Sequence, residues 1–435
     1  EPNVTATLSP APPAARLTPD LAARWFFYSA VFWLLVPVLA GLVMAVFLFD
    51  ARTQEWVPEF LRPAVIFGRL RPMHVNLAMF GWLSMVYAGC MLFLTPRLCG
   101  TPLYSERLGW VTLVLWNLLV LGAAVSLPLG FTQGREYAEL AWPLDVLLLV
   151  CFGLIGVNVW GTVLRRTEPR MYITVWSFLA ATAIAPLVYA IGNRVWDFTG
   201  AYSGVSDAII NYFYVHNIFN VWFTTLALGL FFYLLPRLTG NPLFSHRLAL
   251  WGFSSVWTGQ HHLLYGPGPE WLEILSVSFS ILAAIGNAAF LLNSVKTMQG
   301  AWHKLGPNLP LRFLATGCLF YFLTCIQGIA QSFRGFNAYV HFTNWVIGHS
   351  HLALVGAYSF LCIALVYYVV GRSLDRDANR RLMEWHYWLT LGGLTVFMVS
   401  LWIAGLIQGQ NWNMGGVPFI ETVRSLKPFF FIRLL

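Results

Sequence analysis

The chain has 435 residues, of which 58% are hydrophobic and only 10% charged, with a mean hydropathy of +0.65. A soluble domain carries about 25% charged residues, so a soluble enzyme is excluded. The net charge of +8 does not signal a nucleic-acid partner either, because in a membrane protein Lys and Arg mark the cytoplasmic loops.

The chain opens on a Pro/Ala-rich stretch, TLSPAPPAARLTPD, expected to be a flexible N-terminal tail over 1–25. It is not a signal peptide, since no short apolar core follows a basic start. The start on Glu1 rather than Met, with a closing PFFFIRLL that reads as a span cut short, leads to the expectation that part of both ends is missing. A membrane span needs about 20 apolar residues. Eleven such runs follow, near 27–49, 72–95, 108–130, 141–163, 171–192, 208–235, 247–264, 271–295, 312–332, 343–370 and 386–408. The closing PFFFIRLL reads as the start of a twelfth. Even lengths and short connections predict an all-α membrane protein of about 12 transmembrane helices, eleven of them complete. Residues 26–435 would then form a single transmembrane catalytic domain.

Basic residues alternate from loop to loop. Fourteen lie in one set of loops (Arg97, Arg107; Arg165, Arg166, Arg170; Arg237, Arg247; Lys296, Lys304, Arg312; Arg372, Arg376, Arg380, Arg381). Seven lie in the other set (Arg52, Arg62, Arg69, Arg71, Arg135, Arg194, Arg334). The richer set marks the cytoplasm and puts the N-terminus there too. The six cysteines are scattered with no CxxC pair, so any c-type heme must sit on another subunit.

Six histidines lie inside these apolar runs: His74, His216, His261, His262, His349 and His351. Ionisable groups at hydrocarbon depth are costly and mark functional sites. By the topology all six fall in the outer half of the membrane, as one layer. His349 and His351, two apart in WVIGHSHLAL, point to nearly opposite faces at about 100° per residue, so one helix can serve two hemes. His74 is the remaining deep partner for one of them. That leaves His216, His261 and His262 as three imidazoles from two helices, a set for a third metal. A heme-bearing sensor would need no such third set.

The stretches RLRPMHVNLAMFGW (69–82), GREYAELAWPLD (134–145), YVHNIFNVWFTT (214–225), GQHHLLYGPGPEW (259–271) and HFTNWVIGHSHLAL (341–354) together resemble the catalytic subunit of the heme-copper oxidase superfamily. They are most similar to the branch containing cbb-type oxygen reductases and nitric oxide reductases. The resemblance implies that His74 and His351 are axial to a low-spin heme b and that His349 is proximal to a high-spin heme b. It implies that His216, His261 and His262 hold the facing metal. Three neutral imidazoles suit copper at least as well as non-heme iron. Glu136 and Tyr137 match a calcium-associated loop, and Arg334, His341 and Asn344 would hold heme propionates.

Two patterns of this branch are missing. Oxygen reductases carry a redox tyrosine four residues after the metal His, or six before the His pair; those positions are Asn220 and Ser255 here. Nitric oxide reductases carry glutamates at the Asn220 position and near Ala283, and both are absent. Gln327 stands where the cbb pattern has Glu, and Thr258 and Gln260 flank the His pair. The residues therefore suggest a divergent nitric oxide reductase, with an oxygen reductase as the rival. Asn220 would donate a hydrogen bond to bound substrate. Electrons would come from a membrane-anchored donor, a c-type cytochrome or a cupredoxin-like subunit. Protons would come from outside past Glu136, Glu139 and Asp145. The expected location is a bacterial inner membrane, with the site in its outer half.

Overall fold

The computed structural model describes residues 20–198, 202–252, 259–374 and 379–435, with side chains 372–374 excluded. The expected tail up to residue 19, together with Ser255 and Thr258, lies outside the described residues. Among the described residues the secondary structure is helical throughout, apart from one isolated bridge between Arg135 and Ala138.

We number the helices α1 (Leu21–Phe49), α2 (Phe67–Cys99), α3 (Glu106–Ser126), α4 (Trp142–Leu164), α5 (Ile173–Asn193) and α6 (Val205–Thr239). There follow α7 (His246–Gly252), α8 (Glu270–Met298), α9 (Leu309–Ser332), α10 (Arg334–Val340), α11 (Asn344–Gly371), α12 (Arg380–Met414) and α13 (Phe419–Ile432). Ten of them are long and apolar enough to cross a membrane. The seventh expected span appears as the short α7 and a 3₁₀ turn, Gln260–His262, with 253–258 between them outside the described residues. Helix α13 forms where a twelfth span was expected to begin.

The first helix starts earlier than the sequence suggested. It begins at Leu21 rather than near residue 26, because the Ala22 N–H donates to Glu106 Oε1 at 2.8 Å. Other ends follow ordinary capping. Ser105, Asn308 and Asn379 each accept a first-turn N–H, which replaces a missing helical partner. Gly100 and Gly240 end α2 and α6 at φ 63° and 76°, a left-handed conformation that glycine adopts without strain.

Burial sorts the helices. Helices α2, α6 and α11 are buried along 94%, 78% and 61% of their apolar windows, against 22–56% for the rest. The three central helices are the ones that carry His74, His216, His349 and His351. The outer helices present apolar side chains outward, as a lipid-facing surface requires. Polar ties cross the core: Trp116 Nε1 donates to the Phe80 carbonyl, Trp222 Nε1 to Ser84 and Trp82 Nε1 to Ser359, each at 2.9 Å.

Each central helix loosens into a π-helical stretch just past its histidine. These stretches are Leu77–Leu83 after His74, Phe219–Thr224 after His216 and Leu352–Ser359 after His351. Wider turns of this kind recur at functional sites, where they re-aim the following side chains.

Candidate metal centre

The six deep histidines lie near one another in two groups. His74 of α2 faces His351 of α11 with ring centroids 6.2 Å apart and planes 29° from parallel. Two imidazoles on opposite sides of one iron need about 2 Å per metal–nitrogen bond plus about 1.1 Å from each nitrogen to its ring centre, roughly 6.3 Å in all. The spacing therefore fits a bis-imidazole heme. Both rings are pre-oriented. His74 Nδ1 lies 2.6 Å from the Pro37 carbonyl and His351 Nδ1 lies 2.8 Å from the Ile347 carbonyl. A carbonyl accepts only from N–H, so both rings hold their proton on Nδ1 and turn Nε2 free for a metal. Gly41 makes room: a Cβ there would stand 3.0 Å from His74 Cε1. Phe397 of α12 packs on His351 at 4.8 Å.

The second group is His216, His261 and His262. One ring nitrogen from each lies within 4.8 Å of the others. His216 meets His261 edge-on at 4.7 Å and His262 at 5.8 Å. Contraction onto a metal by a fraction of an ångström per ring would complete a three-imidazole site. The 3₁₀ turn explains how two adjacent histidines serve one ion, since it brings their rings to 4.3 Å. His261 Nδ1 sits 3.0 Å from Ser276 Oγ and 3.2 Å from Ser280 Oγ, both on α8. His349 lies beside this group, with its Nδ1 3.2 Å from Gln327 Oε1 of α9. A proximal heme ligand needs such a partner to fix its ring.

The remaining expected site residues divide. Tyr137 takes a left-handed φ of 55°, packs edge-on against Phe219 and reaches Ser350, between His349 and His351 in the chain. Burial, reinforced by Glu136, pushes its hydroxyl up to about 12. Glu136 pairs with Arg71, so a calcium there would have to compete with a guanidinium. Asn344 is bound to Gln408 Oε1 at 2.8 Å. Burial lowers the His341 imidazole, partly offset by a hydrogen bond to the His262 backbone. Arg334 is held by two carboxylates, Glu270 at 2.6 Å and Glu273 at 2.9 Å. The Asn220 carbonyl accepts from Thr225 at 2.8 Å, and its side chain makes no hydrogen bond among the described residues.

Two carboxylates expected on the proton path are tied to neighbouring side chains. Glu139 accepts from Asn76 at 2.9 Å, and burial raises its carboxyl to about 7. Asp145 is bound by Gln133 and Tyr189. Sequence reasoning missed the carbonyl anchors, Gly41, Phe397, and the serines of α8. The signal for the serines was present: Glu273, Ser276 and Ser280 form a polar stripe, three and four residues apart, on an otherwise apolar span. It also left Tyr212 unassigned, whose ring stacks on His262 at 5.4 Å and 22°.

Comparison with known proteins bears on the whole chain. Residues 21–435 match the family described as Cytochrome C and Quinol oxidase polypeptide I. The chain is 32% identical to the Cbb3-type cytochrome c oxidase subunit CcoN1 of Stutzerimonas stutzeri, over 95% of this chain and 90% of that protein. It is 30% identical to a cytochrome c oxidase subunit 1 homolog of Agrobacterium tumefaciens, over 96% of this chain and 80% of that one. Its fold is similar to that of a heme-copper terminal oxidase dimer solved by cryo-EM. The TM-score is 0.74 at 14% identity, covering 95% of this chain and 80% of the other.

Proposed function

We propose that this chain, which belongs to the cytochrome c and quinol oxidase polypeptide I family, is the catalytic subunit of a respiratory nitric oxide reductase. Membership makes it a membrane-spanning oxidoreductase that works with heme and copper. The finer reading rests on the chemistry around the three imidazoles. The position four past His216 is Asn220, and the position six before His261 is Ser255. Neither can act as the redox tyrosine of the oxygen-reducing pattern. Joining two nitric oxide molecules needs only two electrons and two protons, giving nitrous oxide and water.

His74 and His351 would hold the low-spin heme b, His349 the high-spin heme b, and His216, His261 and His262 a copper ion. Bound there, these groups supply one-electron transfer and Lewis acidity toward nitric oxide. The chain's own part is positional. The Pro37 and Ile347 carbonyls, Gln327 and the α8 serines hold four imidazoles in one orientation. The Asn220 amide is free to donate to a substrate oxygen. His341 and Asn344 stand at the start of α11 for the heme carboxylates. Electrons would reach the site from a membrane-anchored c-type cytochrome or cupredoxin-like subunit on the outer side.

One observation favours the second reading, reduction of oxygen to water. Tyr212 stacks on His262 and could serve as a tyrosine donor from an unfamiliar position, and the similar proteins named above are oxidases. Metal analysis of the purified complex, paired with turnover on each gas, separates the two. The expected result is two hemes and one copper, nitrous oxide formation and slow oxygen use. Fast oxygen reduction to water would overturn the nitric oxide reading.

A further inference from the structure

Whichever gas is the acceptor, protons must reach the three-histidine group. Helix α8 carries a buried carboxylate near that group. Glu273 is 7% exposed and lies one helical turn outward from Ser276. Ser276 Oγ is 3.0 Å from His261 Nδ1 and accepts the His261 N–H at 2.9 Å. Three residues of helix rise about 4.5 Å, so the carboxyl stands close to the site.

Two further observations converge on it. A cavity of about 80 Å³ is walled by Ile209, Gln260, Leu263, Pro267, Leu272 and Glu273. A water needs roughly 15 Å³ of such space, so several fit. The cavity lining includes the Gly266–Pro269 turn and Gln260, the residue before His261. The lining is largely apolar; its polar side chains are the Glu273 carboxylate and the Gln260 amide, which also donates to the Ile209 carbonyl at 3.1 Å. An ion-pair cluster also surrounds Glu273. Arg334 is shared by Glu270 and Glu273, so two carboxylates face one guanidinium and one negative charge is left over. Glu270 also pairs with Arg334, so the guanidinium does not depend on Glu273 alone. The Tyr265 hydroxyl, donating to the Arg334 carbonyl, ties this cluster to the turn that follows the His pair.

We propose that Glu273 is the proton inlet of the metal site, loading from the outer water through this cavity. The inference rests on His216, His261 and His262 being the reacting centre, and it holds for either gas. Two protons, with two electrons from the c-type cytochrome or cupredoxin-like donor, convert two nitric oxide molecules to nitrous oxide and one water. Glu273 binds a proton from the outer bath, releases it along the cavity water toward the site, and is reloaded.

The experiment uses the whole complex in oriented vesicles, with membrane-impermeant pH dyes on each side and pulses of nitric oxide or oxygen. Wild type should take protons from the outer bath. Glu273→Gln should slow proton uptake and the accompanying heme oxidation at least tenfold. Its metal content, heme spectra and donor-to-heme electron transfer should be unchanged, and its solvent isotope effect larger. Glu273→Asp should recover part of the rate. Should Glu273→Gln fail to assemble, Ile209→Phe fills the cavity instead and should slow uptake in the same way. A Leu263→Cys variant should react with an impermeant maleimide from the outer side even in metal-depleted protein. Uptake at the wild-type rate in either blocking variant, uptake from the inner bath, or a Leu263→Cys variant that does not react would overturn the proposal. If only oxygen is consumed and Glu273→Gln still slows uptake, the nitric oxide reading fails and this one stands.

Discussion

Placing a methyl group at Gly41 tests the heme reading where the packing has least slack. The new Cβ would stand 3.0 Å from His74 Cε1 and 3.2 Å from Nδ1. Ordinary carbon contacts lie at roughly 3.5–4.0 Å, so the ring must retreat by about half an ångström. It cannot retreat freely, because Nδ1 is held by Pro37 one turn away on the same helix as residue 41. It also cannot move toward His351, because 6.2 Å between rings leaves no excess for an iron between them. Overpacking of this kind costs about 1–3 kcal/mol, and each 1.4 kcal/mol is about tenfold in binding. Gly41→Ala should therefore weaken retention of the low-spin heme by roughly 5- to 150-fold. The bare helix should gain up to about 1 kcal/mol from the better helix former. Heme content per chain and the low-spin ferric EPR signal, read beside thermal unfolding, separate these opposite effects. Gly41→Val should lose the low-spin signal altogether. Two hemes per chain and an unshifted low-spin spectrum in Gly41→Val would refute the assignment of His74 to that heme.

Other perturbations address the remaining anchors. Gln327→Leu should leave the His349 ring without its partner; losses of about 10–100-fold in turnover are typical of such outer contacts, and resonance Raman of the iron–histidine stretch would report the changed ring. Removing both hydroxyls that face His261, in Ser276→Ala with Ser280→Ala, should lower copper retention by a similar factor, read by metal analysis at fixed heme content. Glu139 has its carboxyl raised from 4.5 to about 7 by burial. A group raised on folding stabilises the fold below its unfolded value and loses that contribution as pH rises through its folded one. Wild type should thus lose thermal stability between pH 4.5 and 7 relative to Glu139→Gln, and parallel melting curves across that window would contradict the burial argument.

The sequence by itself determined the architecture and the cast of metal-binding candidates. Apolar runs of membrane length admit only helices, because backbone groups in hydrocarbon must satisfy one another internally. Ionisable rings inside such runs are too costly to be incidental, so the six histidines stood out without any geometry. Even the opposed faces of His349 and His351 followed from a fixed angle per residue, and the structure turns one toward His74 and the other toward Gln327.

What tertiary structure alone decided is how those rings are held. The Pro37 carbonyl meets His74, 37 residues away in the chain. Gly41 opens the space beside it, and α8 brings Ser276 to His261. Arg334, expected over a heme, is claimed by Glu270 and Glu273 of a neighbouring helix. The π-helical stretches after three of the histidine positions break the fixed angle on which sequence reading depends. Periodicity reports the face a residue takes on its own helix. Which helix lies against that face is set by the packing of the whole bundle, and the partners of a buried polar atom exist only once that packing has formed.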